Sequence, residues 1–284
     1  MKTAFLTVAA VACVSTTTFA DTVLQSSNFN APAYTIGNLS NDATGTTAGQ
    51  QGWYVYNAGT GGAADLQVVV DPTHGATDRG QILAVTAGNT ATGNNVTRYG
   101  WTDSIHNASR PAGETQIIAT YDFYMGGASS TSTNRYGNYM YDASGTKILA
   151  GVTMQNSTGQ FYIVGNYNNG GTIGNYSFST GTSGLLSRNT WYTFAITFDM
   201  VTGRFQGGFS RDGGVSFTMF YVDGAAAGIA VDEMDLIGSV NSGTAAQGGT
   251  TGYYDNILVT STPAPGALAL LGVAGLVGGR RRRS

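Results

Sequence analysis

The chain has 284 residues, with 42 Gly and only 10% charged residues, against about 7% Gly and about 25% charge in an average soluble protein. Its formal charge of −3 hides a split: Lys2 and Arg280 to Arg283 hold five of the 13 basic residues, so the segment between them carries 8 basic and 16 acidic residues, a net of −8. An acidic body with basic residues scattered singly excludes nucleic acid as a partner, because phosphate binding needs clustered Lys and Arg, while the 42% hydrophobic fraction excludes general disorder.

The first twenty residues, MKTAFLTVAAVACVSTTTFA, have one Lys, an apolar stretch from Ala4 to Val14, and Thr18-Phe19-Ala20 before Asp21. A charged start, a short apolar middle and small residues before a cut define a secretory signal peptide, with cleavage after Ala20. Cys13, the single cysteine, lies inside this segment. The mature chain then has no thiol, which removes disulfides and Cys-based metal sites.

Residues 21–260 read as one all-β domain. Leu66–Val70 ends at Asp71-Pro72, Gln81–Thr86 ends at Ala87-Gly88-Asn89, and Thr115–Met125 alternates up to Gly126-Gly127. Asn138–Tyr141 and Thr146–Gln155 flank the turn Asp142-Ala143-Ser144-Gly145, and Gln160–Gly165 follows the next turn. Trp191–Asp199 gives the clearest alternation. It places Tyr192, Phe194, Ile196 and Phe198 on one face, which is the predicted core side. Arg204–Ser210 follows the turn at Met200–Gly203. A second hairpin turns at Arg211-Asp212-Gly213-Gly214 into a strand over Val215–Tyr221, and Gly252–Val259 is the last predicted strand. Many short strands joined by hairpin turns predict an antiparallel β-sandwich. The stretches WYTFAITFDMVTGRF and YYDNILV resemble those of concanavalin A-like or LamG-like jelly rolls. That resemblance implies a jelly-roll topology, which periodicity alone does not.

The body offers little catalytic chemistry. His74 and His106 have no second ligand at metal spacing, no Gly-x-Ser-x-Gly elbow occurs, and no glycine run ends in Lys-Ser/Thr. The stretch Val231-Asp-Glu-Met-Asp-Leu-Ile-Gly238 resembles the Glu-x-Asp-x-Glu strand of laminarinase-like glycoside hydrolases. Glu233 and Asp235 match its first two acids, but Ile237 stands at the third, and the one other glutamate is Glu114. The expectation is a strand start with solvated acids and no catalytic residues. Calcium would draw on Asp or Asn side chains, with Asp255 and Asn256 as the candidate ligands beside Asp142, Asp199, Asp212 and Asp223; a hairpin turn calls for the same residue types. Tyr54, Tyr56, Tyr99, Trp101, Trp53, Tyr136, Tyr162, Tyr167 and Tyr176 lie near Gly/Asn-rich loops and are candidates for stacking on sugar rings.

Residues 261–284 form a separate signal. Pro263-Ala264-Pro265 follows Ser-Thr, in a run predicted to continue neither helix nor strand. Gly266–Gly279 is 14 residues without charge, then come Arg280, Arg281, Arg282 and Arg283. A helix of that length is about 21 Å long, short of a hydrocarbon core of about 30 Å, but terminal arginines reach the headgroups and mark the cytoplasmic side. The layout resembles the PEP-CTERM sorting signal of exported bacterial proteins, with Ala264 where the consensus has Glu. The resemblance implies a transmembrane anchor in the inner membrane, an exosortase-type processing enzyme as partner, and final placement in the cell envelope or extracellular matrix. The expected role is a non-enzymatic surface or matrix protein associated with exopolysaccharide. The alternatives are a lectin-like carbohydrate-binding module and a glycan hydrolase.

Overall fold

Alternation along the chain, with turn residues between the runs, produces two antiparallel sheets. The computed structural model describes residues 21–57, 63–73, 79–86, 97–103, 110–126, 133–211, 213–239 and 250–263. The strands are β1 (Thr22–Ser27), β2 (Gly37–Asn38), β3 (Trp53–Asn57), β4 (Leu66–Val70), β5 (Gln81–Thr86), β6 (Thr97–Thr102), β7 (Glu114–Met125) and β8 (Arg135–Tyr141). They continue as β9 (Ile148–Gln155), β10 (Phe161–Asn169), β11 (Thr172–Ser179), β12 (Trp191–Asp199), β13 (Arg204–Ser210), β14 (Thr218–Asp223), β15 (Glu233–Ser239) and β16 (Thr251–Pro263). One sheet has the order β14-β13-β12-β7-β16-β5-β4-β2, with β1 paired to the later half of β16; the other has the order β11-β10-β9-β8-β15-β6-β3.

The core lies between the sheets. Tyr192, Phe194, Ile196 and Phe198 face it from β12, as their spacing predicts, beside Ile117, Ala119, Tyr121 and Phe123 of β7. Val152, Met154, Phe161 and Ile163 come from the other sheet. Glycine sets the approach of the two sheets at one point. A Cβ on Gly207 of β13 would stand 2.3 Å from Val152 Cγ1 and 2.7 Å from Ile163 Cγ2, so no larger residue fits without moving one layer.

The structure departs from the sequence reading in several places. β1, β2, β3, β6 and β11 have no counterpart among the predicted strands. In β6 the inward position is Gly100, which presents no apolar side chain to the pattern; its missing Cβ leaves room for Leu66, whose Cδ2 would lie at 2.6 Å. β14 begins at Thr218 rather than Val215, since Gly213 and Gly214 both take positive φ and carry the chain into a longer turn with Val215 82% exposed. The Ser-Thr-Pro run does continue a strand. Ser261 pairs with Ile117 and Thr262 with Gln116, and Pro263 ends β16 after a register shift, where its missing N–H interrupts no further pairing. His74, His106, Asp212, the leader through Ala20, and the tail residues Ala264, Pro265, Arg280, Arg281, Arg282 and Arg283 lie outside the described residues. Among the described residues no helix is long and apolar enough to cross a membrane.

Candidate functional site

β15 lies inside the second sheet between β8 and β6. Met234 and Leu236 point into the core, so the period of two sends Glu233, Asp235 and Ile237 to the opposite face. On that face Glu233 stands opposite Tyr141 and Asp235 opposite Tyr139 on β8, while Ile237 stands opposite Tyr99 on β6. One strand further out, Trp101 pairs with Tyr54 and Tyr99 with Tyr56. Both cross-strand pairs are stacked, Tyr54 and Trp101 at 5.6 Å and 17°, Tyr56 and Tyr99 at 6.0 Å and 24°. The four rings form a broad aromatic platform beside the two acids. A cavity of about 200 Å³ opens there, lined by Tyr56, Tyr99, Trp101, Tyr141, Glu233 and Asp235, with Gly145 of the β8–β9 turn at its rim.

The expectation of solvated acids is corrected here. Asp235 is 4% exposed, because β15 is flanked on both sides by strands carrying large rings. Burial, and then the charge of Glu233, hold its carboxyl well above the usual carboxylate range. Asp235 Oδ1 has no hydrogen-bond partner. Burial likewise raises the Tyr139 phenol to about 12 and carries Tyr141 far above its ordinary value, with Tyr99 and Asp235 adding to the shift. Tyr54 is raised by its hydrogen bond to Asp103.

The remaining carboxylates are elsewhere. Glu114 belongs to β7 in the other sheet, where it accepts hydrogen bonds from Thr22 Oγ1 at 2.9 Å and from Ser261 Oγ. It does not join Glu233 in a cleft. The third position of the acidic strand, Ile237, is apolar and fully buried. A glycosidase pair needs its two carboxyl groups on the same site, one ready to give a proton and the other to attack or activate water.

The first calcium candidates, Asp255 and Asn256, belong to β16 of the first sheet. Arg79 Nη1 lies 2.6 Å from Asp122 Oδ2 and 3.2 Å from Asp255 Oδ2. Asn256, at a bulge with φ of 50°, donates its amide to Asp122 Oδ2 at 2.9 Å. Asp255 is raised to about 6, chiefly by burial. A guanidinium thus fills the space between these carboxylates, and calcium would have to displace it. Asp142 accepts backbone N–H groups from Thr146 and Lys147 in its turn, Asp199 does so from Val201 and Thr202, and Asp223 pairs with Arg204 at 2.7 Å. Among the described residues no group of three or more His, Cys, Asp or Glu could hold a metal.

The aromatic candidates divide. Tyr54, Tyr56, Tyr99 and Trp101 share the platform, whereas Trp53 and Tyr136 are fully buried in the core. Tyr162 lies under the Arg135 guanidinium at 3.8 Å, and Tyr167 and Tyr176 pack edge to face near the β10–β11 turn. A larger groove of about 400 Å³ beside β1, lined by Gln25, Asn28, Gln51 and Thr102 among others, has among the described residues one ring, Tyr34, and no charged side chain.

No family model and no curated protein matches this sequence. In fold the chain is similar to the GH131 β-glucanase catalytic domain from Podospora anserina, with a TM-score of 0.53 and 13% identity over 85% of this chain and 96% of that one. It is similar also to the CBM2 module of the evolved Dit protein of Lactobacillus casei BL23 phage J-1, at 0.50 and 12% over 86% and 97%. The lectin UEA-II, solved with galactose, gives 0.45 and 11% over 80% and 98%. The first two likenesses show the fold, a concanavalin A-like β-sandwich.

Proposed function

We propose that the domain is a lectin-like carbohydrate-binding module whose binding face is the outer side of the second sheet. The observation that carries this reading is the platform of two stacked ring pairs, Tyr54 with Trp101 and Tyr56 with Tyr99, beside a cavity containing Glu233 and Asp235. Pyranose rings present flat C–H faces that pack on such rings, while their hydroxyls pair with carboxylates and phenols. The printed descriptions of fold-similar proteins, a glucanase, a binding module and a galactose-bound lectin, are consistent with saccharide work on this scaffold. Fold alone does not carry function. The reading is of binding without hydrolysis, because Ile237 takes the place where a second glutamate would complete an acid pair.

A glycan array probed with the purified protein tests this directly. Trp101→Ala is expected to weaken the best hit by about 30-fold, as for a central aromatic anchor worth about 2 kcal/mol, with the melting temperature nearly unchanged. Silence across the array overturns the binding reading, and release of reducing ends from a bound glycan overturns the non-enzymatic one.

Export through the leader and sorting through the tail complete the proposal, with an exosortase-type enzyme and the inner membrane as transient partners and exopolysaccharide as the ligand source. Deleting residues 264–284 leaves β16 whole. It is expected to release the protein into the medium with no further mass change. Unaltered cell association and unaltered processing in that deletion would refute the sorting role.

A further inference from the structure

The second sheet ends on β11, and this edge lacks the devices that keep a sheet edge from pairing. Edge strands are blunted by shortness, bulges, charges or a covering segment. The other edges among the described strands are treated in this way. β1 has a register break between Val23 and Gln25, and β2 is two residues long. β3 is covered where Thr44 bridges Tyr56 and Asn57 donates its N–H to Ala43 O. β14 ends on Asp223, which is ion-paired with Arg204. By contrast, β11 runs for eight residues in unbroken register with β10. It has no proline, and between Lys147 and Arg188 the chain has no Asp, Glu, Lys, Arg or His. Arg135 of β8 reaches the strand at Ser177 Oγ, from the outer face of the sheet. None of the residues of β11 is buried.

Hairpin geometry decides which backbone groups are open. Gly170 and Gly171, with φ of 64° and 99°, form a two-residue turn between the paired residues Asn169 and Thr172. In such a hairpin the closing pair exchanges both hydrogen bonds, so every second residue from Thr172 faces β10. Thr180 keeps that phase, donating its N–H to Phe161 O at 3.2 Å. Ile173, Asn175, Ser177 and Ser179 therefore turn their N–H and C=O groups to the open edge. Two such edges related by a two-fold axis have a register that uses all four. Ile173 stands opposite Ser179 of the second copy, Asn175 opposite Ser177, and Gly174 opposite Phe178, while Tyr176 meets itself on the axis. The inner face suits this register. Phe178 and Tyr176 pack on Tyr167 at 5.2 and 6.1 Å, and a Cβ on Gly174 would meet only Tyr176, at 3.6 Å, which leaves room for the Phe178 ring of a second copy. A two-fold axis sets any charge near it against its own image, and this strand has none to oppose.

We propose that β11 is a self-association edge, through which two copies of this chain join their second sheets antiparallel into one continuous sheet. The axis is perpendicular to the sheet, so both aromatic platforms face the same way, although the pairing does not depend on the glycan reading.

Sedimentation equilibrium of the purified protein is expected to show a dimer at about 10 µM. Ser177→Pro removes an N–H that faces the open edge and spares the β10 ladder. It is expected to weaken the dimer at least about tenfold while a cooperative melting transition is kept. Crosslinking reads the register and does not rely on that variant folding. In a Cys13→Ser background the introduced thiol is the only one in the chain. Tyr176→Cys then faces its own copy at a cross-strand Cβ separation of about 4.5–5.5 Å and forms a disulfide-linked dimer on mild oxidation. Ile173→Cys, 60% exposed in the wild-type residue but opposite a serine in the dimer, stays largely monomeric. A monomer at about 100 µM overturns the proposal. So does a dimer that survives in a folded Ser177→Pro, or crosslinking at Ile173→Cys equal to that at Tyr176→Cys.

Discussion

Arg79→Met is expected to lower stability by about 3–5 kcal/mol at neutral pH, the cost of stranding buried charges. Arg79 precedes β5, yet it bridges Asp122 on β7 and Asp255 on β16, with side-chain exposures of 16%, 15% and 3% for the three residues. Its guanidinium also stacks 4.1 Å above the Trp191 ring of β12. One side chain therefore ties four chain-distant segments. Methionine matches much of its volume and keeps the contact with the ring, so the loss isolates the charge. The pH dependence gives a second readout. Asp255 is raised from 3.8 to about 6 even with Arg79 in place. A raised folded value means that the group favours folding fully below about pH 3.8, and that this contribution is lost as pH rises through about 6. Without the guanidinium the Asp255 carboxyl rises further, so the penalty of the variant should shrink steadily from about pH 7 to about pH 4. Adding Asp255→Asn should recover part of it at neutral pH. Urea unfolding across that range checks the result; a penalty below about 1 kcal/mol that is flat with pH would show the pair to be incidental.

Phe194→Ala should cost a similar amount, about 3–5 kcal/mol, for a different reason: a large ring removed from a packed interior leaves a cavity that neighbours fill only in part. Phe194 is fully buried. Its ring is stacked on Phe123 at 5.0 Å and meets Tyr121 edge to face at 5.6 Å within its own sheet, and Phe161 edge to face at 5.2 Å from the opposite sheet. It is thus the point where the two layers interlock. Against a total of about 5–15 kcal/mol for a domain, the variant should be marginal at 37 °C, while Phe194→Leu should lose markedly less. An alanine variant that unfolds at the wild-type denaturant midpoint would mean that the aromatic cluster is not the mechanical centre of the sandwich.

The sandwich was legible wherever one face of a strand is uniformly apolar. Trp191–Asp199 is predicted with its observed bounds by alternation, and Gln81–Thr86 and Leu66–Val70 as short apolar runs that end at turn residues. β6 was not, because Gly100 stands where the pattern calls for an inward apolar residue and the space is filled by Leu66 of β4, distant in the chain. The platform failed to emerge for a related reason. Tyr54, Tyr56, Tyr99 and Trp101 were recognisable as candidate sugar-stacking residues, but only the β3–β6–β15–β8 order places them beside Glu233 and Asp235. The same order buries Asp235. Spacing showed that the two acids share a face, whereas the environment of that face is a property of sheet topology. Likewise Asp255 was visible as an acid near a turn, while its partner Arg79, 176 residues away, was not.

The pairing of β1 with β16 bears on when this domain can form. Thr22 lies opposite Ser261 and Ser27 opposite Ile257, so the first strand has no backbone partner until the last has been synthesised. Contacts of this span are the slowest to close during folding. A chain threaded through a membrane from its amino end would therefore stay open along that edge for the whole passage. In such a passage the ladder would shut only after the final strand had emerged.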